Sequence, residues 1–187
     1  TGRPLPLDPD EPTHVAESIA LMKLSHAVIT SVDRDDLPDL GAAHWAQTIR
    51  EIKRLNPETT TEVLIPDFQG RKELVDQVIK ACPEIISHNM ETVKRISPQV
   101  RSAANYHTSL EVIRQIAESG ITAKSGIMVG LGETPAEVEE LMDDLISVGC
   151  KILTIGQYLQ PTHKHFPVAA YITPEQFAVY KETGLKK

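Results

Sequence analysis

The segment 124–133 constrains the fold more than any other stretch of this sequence. Its centre is a short apolar run between two glycines, which is typical of a strand buried on both faces. A Gly-x-Glu turn follows, and residues 134–137 then have the pattern of a helix capping box with proline at the first helical position. The segment therefore predicts one strand–turn–helix unit. Its glycines would let a ligand approach the backbone closely, although an ordinary tight turn explains them equally well.

The same order of strand and helix repeats along the chain. Strands are predicted near residues 27–33, 61–67, 85–90, 124–130 and 151–157. One further helix, with Asp8 as its N-cap and Pro9 at its first position, is predicted ahead of the first strand, and a single helical turn at 92–96 precedes an irregular stretch at 97–106. Strict alternation of this kind indicates a parallel sheet, either open and doubly wound or curled into a barrel.

Polar residues lie at the carboxyl ends of all five predicted strands: Asp33, Asp67, Glu91, Glu133 and Gln157. Any one of them would be unremarkable, because loops are solvated. In a βα barrel, however, these strand ends lie on one rim, where active sites are built. If the sheet is curled into a barrel, we expect strands in sequential order, with Asp33, Glu91, Gly130 and Tyr158 lining one cavity.

Charge and composition exclude several classes of function. The chain has 19 basic and 26 acidic residues and a formal net charge of −7; without a basic block it is a poor match for nucleic-acid or anionic-membrane binding. No apolar run approaches the roughly 18 residues that a transmembrane helix needs. Cys82 and Cys150 lie far apart, without metal-type spacing around either, so they are predicted to be reduced thiols and no metal site is expected within these residues.

Five long blocks of the chain resemble, in the same order, the lipoyl synthase family of radical S-adenosylmethionine (SAM) enzymes. They are residues 28–38, 62–68, 88–93, 124–134 and 153–161. Residues 126–133 also fit the looser Gly-x-Ile-x-Gly-x-x-Glu pattern of radical SAM barrels, with Met128 at the isoleucine position. The resemblance implies an α/β fold: a partial parallel (β/α) barrel of the radical SAM type with five strands present and the first strand missing. Residues 1–187 would form a single domain truncated at both ends.

The resemblance also implies an activity for the complete protein. It would be a sulfurtransferase that inserts two sulfur atoms at carbons 6 and 8 of an octanoyl chain attached to a lysine. The implied cofactors are SAM and two 4Fe-4S clusters, one that cleaves SAM to methionine and a 5′-deoxyadenosyl radical and one that donates sulfur. The implied partners are octanoylated lipoyl-carrier domains of 2-oxoacid dehydrogenases and the glycine cleavage H protein, with no nucleic acid and no membrane. The expected location is the cytoplasm, or the mitochondrial matrix in a eukaryote.

The chain departs from the family pattern at both ends. The family's two cysteine groups would precede Thr1 and its closing serine segment would follow Lys187, and neither is present in this sequence. A 4Fe-4S cluster needs thiolates in close array, which Cys82 and Cys150 cannot supply. No catalytic residue is identified, and the 187 residues alone are expected to be inactive. Two alternatives stay open: a non-catalytic βα-barrel module that binds a carrier protein, and another βα-barrel enzyme of the aldolase or isomerase type.

The resemblance assigns residues at two strand ends to the polar part of SAM. Thr30, Ser31 and Asp33 would accept hydrogen bonds from the ammonium of its methionine moiety. Asn89 and Glu91 would bind ribose hydroxyls or lie beside the sulfonium, or they would cap the helical turn that follows.

The adenosine part of SAM is assigned to the last two strands. Gly130 and Gly132 would let the backbone approach the nucleoside. Gln157, Tyr158 and Leu159 would hold adenine by backbone hydrogen bonds and apolar packing.

Three further assignments concern charged residues. Lys124 would serve either the cofactor site or a structural ion pair at the other end of the barrel, and Arg101 would pair with the methionine carboxylate. The loop 34–36, which holds Arg34, Asp35 and Asp36, would meet either the carrier domain or solvent. The role of His88 is left undecided.

Overall fold

The computed structural model describes residues 4–101 and 105–187. Its five strands are β1 His26–Thr30, β2 Thr60–Leu64, β3 Ile85–Ser87, β4 Thr122–Val129 and β5 Ile152–Gln157. All neighbouring strands pair in parallel, in the order β1-β2-β3-β4-β5. This sequential order without reversal is that of a barrel wall, so the predicted half-barrel is confirmed and the doubly wound alternative is wrong.

Helices connect successive strands. They are α1 Glu11–Met22, α2 Ala42–Leu55, α3 Lys72–Ile79, α4 Ser97–Val100, α5 Tyr106–Glu118, α6 Pro135–Ser147 and α7 Pro174–Lys186, with a 3-10 turn at Phe68–Gly70. The predicted capping box of α6 is present: the Thr134 hydroxyl accepts from the Glu137 backbone, and the Glu137 carboxylate accepts from the Thr134 backbone at 2.8 Å. This local motif sets where α6 begins.

The two faces of the sheet differ in burial. On the outer face, Val63, Ile86 and Ala123 are buried beneath the helices, as are the apolar residues on one side of α2, α3, α5 and α6. Burying each such aliphatic side chain contributes roughly 1.5–3 kcal/mol. On the inner, concave face, Val28 is 54% exposed. The half-barrel therefore has its hydrophobic core on one side of the sheet and an accessible wall on the other.

Several predicted boundaries need correction. Helix α1 begins at Glu11 after Asp10, and Asp8 instead accepts a hydrogen bond from the Asp10 backbone at 2.9 Å, so Asp8 and Pro9 precede the helix. The helical turn after β3 lies at Ser97–Val100, not at 92–96. Residues 102–104 of the predicted irregular stretch lie outside the described residues.

The third strand is shorter than predicted because its pairing is interrupted. Regular pairing of β3 with β4 ends at Ser87, and Glu91 then forms an isolated parallel bridge with Ile127. Residues 88–90 bulge between these two points. A bulge of this kind turns side chains away from the regular alternation and is common beside active sites.

No helix among the described residues is both long and apolar enough to cross a membrane.

Candidate functional site

A cleft of about 580 Å³ lies at the carboxyl ends of β1, β2 and β3. It is lined by Thr30, Ser31, Asp33, Arg34, Asp35, Leu40, Leu64, Ile65, Pro66, Asp67, Phe68, Gln69, His88, Asn89, Glu91, Val100 and Arg101. The structure thus brings together five of the residues predicted for the cofactor site, from two strand ends that are 56 or more residues apart in sequence. Their convergence follows from the parallel order of the strands.

The end of β1 contributes hydroxyls and a perturbed carboxylate. Thr30 is the last residue of the strand, and Ser31 and Asp33 follow it in an open loop. Partial burial, together with the nearby carboxylates of Asp35 and Asp67, raises the pKa of Asp33. Crowded carboxylates of this kind favour a cation between them.

The end of β3 aims an amide and a carboxylate into the cleft. The Glu91 backbone donates to the Gly126 carbonyl at 3.0 Å and its carbonyl accepts from Met128 at 2.8 Å, so the bridge to β4 fixes its position. The Asn89 amide oxygen lies 2.8 Å from where a Cβ on Gly126 would stand, so only glycine leaves room for it. The capping alternative finds no support, because no hydrogen bond from the Asn89 or Glu91 side chain is present among the described residues.

Strained backbone is concentrated around this cleft. Six described non-glycine residues have positive φ, and four of them line the cleft: Leu40, Phe68, Gln69 and Glu91. Each costs roughly 1–2 kcal/mol. At 68–70 three successive residues are left-handed, with φ of 46°, 54° and 73°, held by the Asp67 carboxylate, which accepts from the Gln69 backbone at 2.9 Å. Strain that the surrounding structure maintains is a recurrent mark of functional sites.

Two guanidiniums lie in the cleft, and their environments differ. Arg34 is held by Asp36 through two hydrogen bonds of 2.8 Å. Arg101 instead donates through Nη1 to the Ser109 hydroxyl at 2.9 Å, and no carboxylate of the described residues comes within 4 Å of it. Burial lowers the pKa of Arg101, while Glu91 and Asp67 act in the opposite direction. Its charge is therefore available to an anionic group of a ligand.

His88 is a buried structural link, which resolves its undecided role. It is 3% exposed, with Nδ1 3.0 Å from the Ile65 carbonyl and Nε2 2.9 Å from the Ser109 hydroxyl. Burial lowers the pKa of His88, so the imidazole is neutral at physiological pH.

These groups together suit a ligand that carries both signs of charge. The lining holds four carboxylates against two guanidiniums, one of which is already paired. An ammonium or sulfonium would be attracted to the carboxylates, and a carboxylate to Arg101. A cationic α-amino acid derivative fits this distribution better than a phosphate or a free acid.

Lys124 lies outside the lining of this cleft. Its ammonium donates to the Glu62 carboxylate at 2.8 Å, across the inner face of the sheet. His26 lies 3.7 Å from the same carboxylate. Of the two roles predicted for Lys124, the structure thus shows the ion pair, within the half-barrel. Its amine is therefore not a free nucleophile of the kind an aldolase needs.

Gly130 and Tyr158, which were predicted to line one cavity with Asp33 and Glu91, are not among the residues that line this cleft. The segment after β5 folds back over the end of β4, and the Gly130 carbonyl accepts from Ala169 at 2.8 Å. The Tyr158 hydroxyl donates to the Phe166 carbonyl at 2.7 Å and is buried.

The other residues predicted for adenosine are also not among those that line the cleft. The Gln157 amide donates to the Ala170 carbonyl and accepts from Ile172, so it holds the returning segment. The Gly132 carbonyl accepts from Arg95 at 2.8 Å, and Leu159 is 66% exposed. The Glu133 carboxylate closes this turn by accepting from the Gly130 and Leu131 backbones at 2.6 and 2.9 Å.

A site for an iron–sulfur cluster is not found among residues 4–101 and 105–187, where no group of three or more His, Cys, Asp or Glu side chains could hold a metal. Cys82 is exposed after α3, and Cys150 is half-buried before β5. Burial raises the pKa of the Cys150 thiol and so disfavours the thiolate that binds iron. These residues do not fit a 4Fe-4S cluster.

Comparison with known proteins places this geometry in a family. The profile of the Radical SAM superfamily matches residues 1–145. Over all 187 residues the chain is 99% identical to a lipoyl synthase of Bacteroides fragilis, covering 65% of that protein, and over 188 aligned residues it is 62% identical to a lipoyl synthase of Porphyromonas gingivalis, covering 67% of that protein. The chain thus spans about two thirds of the length of the curated relatives it matches.

Solved structures show the same fold at low sequence identity. The crystal structure of methylornithine synthase superposes with a TM-score of 0.76 at 8% identity, covering 99% of this chain and 55% of that one. Coproporphyrinogen III oxidase from Escherichia coli, a radical SAM enzyme, superposes with a TM-score of 0.63 at 12% identity, covering 93% of this chain and 46% of that one. These similarities support the half-barrel assignment.

Proposed function

The chain belongs to the radical SAM superfamily and, within it, to the lipoyl synthases, and we propose that it is the SAM-binding barrel core of a longer lipoyl synthase. The observation that carries this proposal is the cleft at the ends of β1–β3, where Asp33, Glu91 and Arg101 converge. The complete protein would be a sulfurtransferase that converts a protein-bound octanoyl-lysine to its lipoyl form.

The cleft fits SAM through its charges. The carboxylate of Asp33, with the hydroxyls of Thr30 and Ser31 beside it, would hold the ammonium, and Arg101 would hold the carboxylate of the same amino acid group. Glu91, fixed by its bridge to β4, would bind a ribose hydroxyl or lie beside the sulfonium. SAM supplies, on one-electron reduction, the 5′-deoxyadenosyl radical that abstracts hydrogen from the substrate. The chain's own part is to bind and orient the cofactor, since so reactive a species demands close positioning.

The cluster ligands are proposed to lie outside these 187 residues. Neither Cys82 nor Cys150 reaches the cleft, and the relatives are longer than this chain. The second cluster, the octanoylated carrier domains of 2-oxoacid dehydrogenases and of the glycine cleavage system, and a cytoplasmic location are likewise part of the proposal. The accessible inner wall, with Val28, Leu64 and Met128, supports an apolar acyl chain as substrate.

The activity can be tested on the complete protein. Reconstituted anaerobically and supplied with dithionite, SAM and an octanoyl-lysine peptide, it should yield methionine, 5′-deoxyadenosine and a peptide that has gained two sulfurs as a dithiol. That dithiol loses two hydrogens only when it is later oxidised to the disulfide. An acetyl-lysine peptide, which lacks carbons 6 and 8, serves as the control and should gain no sulfur. Formation of 5′-deoxyadenosine with no sulfur in the octanoyl peptide would contradict the proposal and leave only membership of the superfamily.

Replacing Asp33 by Asn should weaken SAM binding at neutral pH without lowering stability. Because the pKa of Asp33 is raised, the folded protein holds a proton there more tightly than the unfolded chain. Above that pKa the ionised Asp33 therefore lowers the free energy of unfolding. As the pH falls through the pKa, Asp33 is protonated and the free energy of unfolding rises again. SAM binding has the opposite dependence, since only the carboxylate attracts an ammonium.

We therefore expect the affinity of the complete protein for SAM to decrease as the pH is lowered. Because the pKa of Asp33 is raised, this loss should begin at a higher pH than an ordinary aspartate with a pKa of 3.8 would give. D33N should bind SAM about tenfold more weakly at pH 7 and lose this pH dependence. Equilibrium dialysis and urea unfolding across the pH range are the measurements, with the exposed Glu58→Gln as a charge-neutralising control. An unchanged affinity of D33N at pH 7 would remove Asp33 from the site.

A further inference from the structure

A chain of hydrogen bonds runs behind the cleft and ends on its free guanidinium. It links the Ile65 carbonyl to His88 Nδ1 at 3.0 Å, His88 Nε2 to the Ser109 hydroxyl at 2.9 Å, and that hydroxyl to Arg101 Nη1 at 2.9 Å. Ser109 is fully buried and His88 is 3% exposed. Neither side chain is among those assigned above to the cofactor.

The groups at the two ends of this series of hydrogen bonds determine which atom donates in each of them. A guanidinium can only donate, so the Ser109 oxygen accepts from Arg101. At the other end the Ile65 carbonyl can only accept, so His88 Nδ1 must donate to it, and in a neutral imidazole Nε2 is then left to accept the hydroxyl proton of Ser109. The lowered pKa of the buried imidazole supports this neutral tautomer.

This series of hydrogen bonds joins parts of the fold that are otherwise separate. Ile65 follows β2, His88 follows β3, Ser109 lies in α5, and Arg101 follows α4. The other hydrogen bond of Arg101 is to the Met90 carbonyl at 3.4 Å, near the limit of a useful interaction. The orientation of the guanidinium therefore depends mainly on Ser109, and that of Ser109 on His88.

We propose that Ser109 and His88 are positioning residues that hold the Arg101 guanidinium in the cleft to receive the carboxylate of SAM. This inference rests on the proposed function. A hydroxyl that must donate to His88 presents its lone pairs to Arg101, so the guanidinium is oriented before the ligand arrives. Pre-organised charged donors bind more tightly than ones that must be ordered on binding.

The test compares SAM with decarboxylated SAM, which lacks only the carboxylate, by equilibrium dialysis against the complete, cluster-loaded protein. Ser109→Ala should weaken SAM binding about tenfold, a change of about 1.4 kcal/mol, and decarboxylated SAM binding by less than about twofold. Arg101→Ala should discriminate between the two ligands at least as strongly. Because both act on one interaction, the double variant should bind SAM no more weakly than Arg101→Ala alone.

Two controls separate positioning from general damage to the fold. Ser109→Thr keeps the hydroxyl and should retain at least half of the affinity that Ser109→Ala loses. Ser97→Ala removes a serine that is equally buried, at 1% exposure, and should leave both affinities unchanged. His88→Asn, which can still donate to Ile65 but no longer reaches Ser109, should resemble Ser109→Ala.

The outcomes distinguish the inference from its premise. If Arg101→Ala weakens both ligands equally, Arg101 does not bind the carboxylate and the proposed SAM site fails. If Arg101→Ala discriminates between the ligands but Ser109→Ala affects both equally or neither, the SAM site stands and the positioning role is overturned. Additive losses in the double variant also overturn it.

Discussion

The 187 residues expressed alone are expected to take up no iron–sulfur cluster and to bind SAM at least about a hundredfold more weakly than the complete protein. The reason is chemical: in the proposed enzyme a cluster would add a metal bond to SAM as a further anchor, and none of the described residues can hold that cluster. What remains is hydrogen bonding from Asp33, Glu91 and Arg101 in a cleft that is open on one side. Losing an anchor worth a few kcal/mol changes affinity by orders of magnitude.

Iron and sulfide analysis after reconstitution, with calorimetric titration of SAM, measures this directly. Circular dichroism is the control that the 187 residues are folded when they are tested. The complete protein, treated in parallel, should bind iron and cleave SAM when a strong reductant is added. Stoichiometric cluster uptake or tight SAM binding by the 187 residues would show that the metal site lies within them, contrary to the proposal.

Gly130→Ala is expected to destabilise the complete protein by about 3 kcal/mol or more, since a buried clash adds to backbone strain. Gly130 has φ of +100°, and a Cβ there would lie 2.4 Å from both the Ala170 carbonyl oxygen and the Gln157 amide. The carbonyl belongs to the backbone of the returning segment, so it cannot rotate away as a side chain would. Urea unfolding measures the loss.

Gly120→Ala is the matched control. Gly120 has a similar φ of +86°, but nothing lies within 4 Å of where its Cβ would stand. That variant isolates the cost of left-handed backbone, roughly 1–2 kcal/mol. An equal decrease in the free energy of unfolding at both positions would contradict this prediction. It would mean that the segment after β5 moves away from the added methyl group and is not packed closely against the end of β4.

Local motifs were predictable from the sequence to the residue. The Thr134–Glu137 capping box is present, since it depends on atoms within four positions of one another. The presence of five parallel strands also follows from alternating patterns, whereas their sequential order was implied by the family resemblance. At the start of α1, by contrast, Asp8 and Asp10 compete as caps, and sequence alone does not decide between two adjacent candidates.

The errors at the site involve partners that are distant in the chain. The bulge after β3 exists because Glu91 pairs with Ile127, and Gly130 is covered because residues near 169 fold back over it. Ser109 gave no signal, since a buried serine among the apolar positions of a helix resembles an ordinary small core residue. Its importance comes only from contact with His88 and Arg101, which lie 21 and 8 positions away.

The separation of the sheet into a helix-covered outer face and an accessible inner wall has an evolutionary consequence. Because the outer face holds the buried core, most of the folding free energy is independent of what stands on the inner wall. Residues such as Val28 and Met128 can therefore be exchanged with little risk of unfolding. One scaffold can in this way acquire pockets for new substrates by substitutions that selection for stability scarcely opposes.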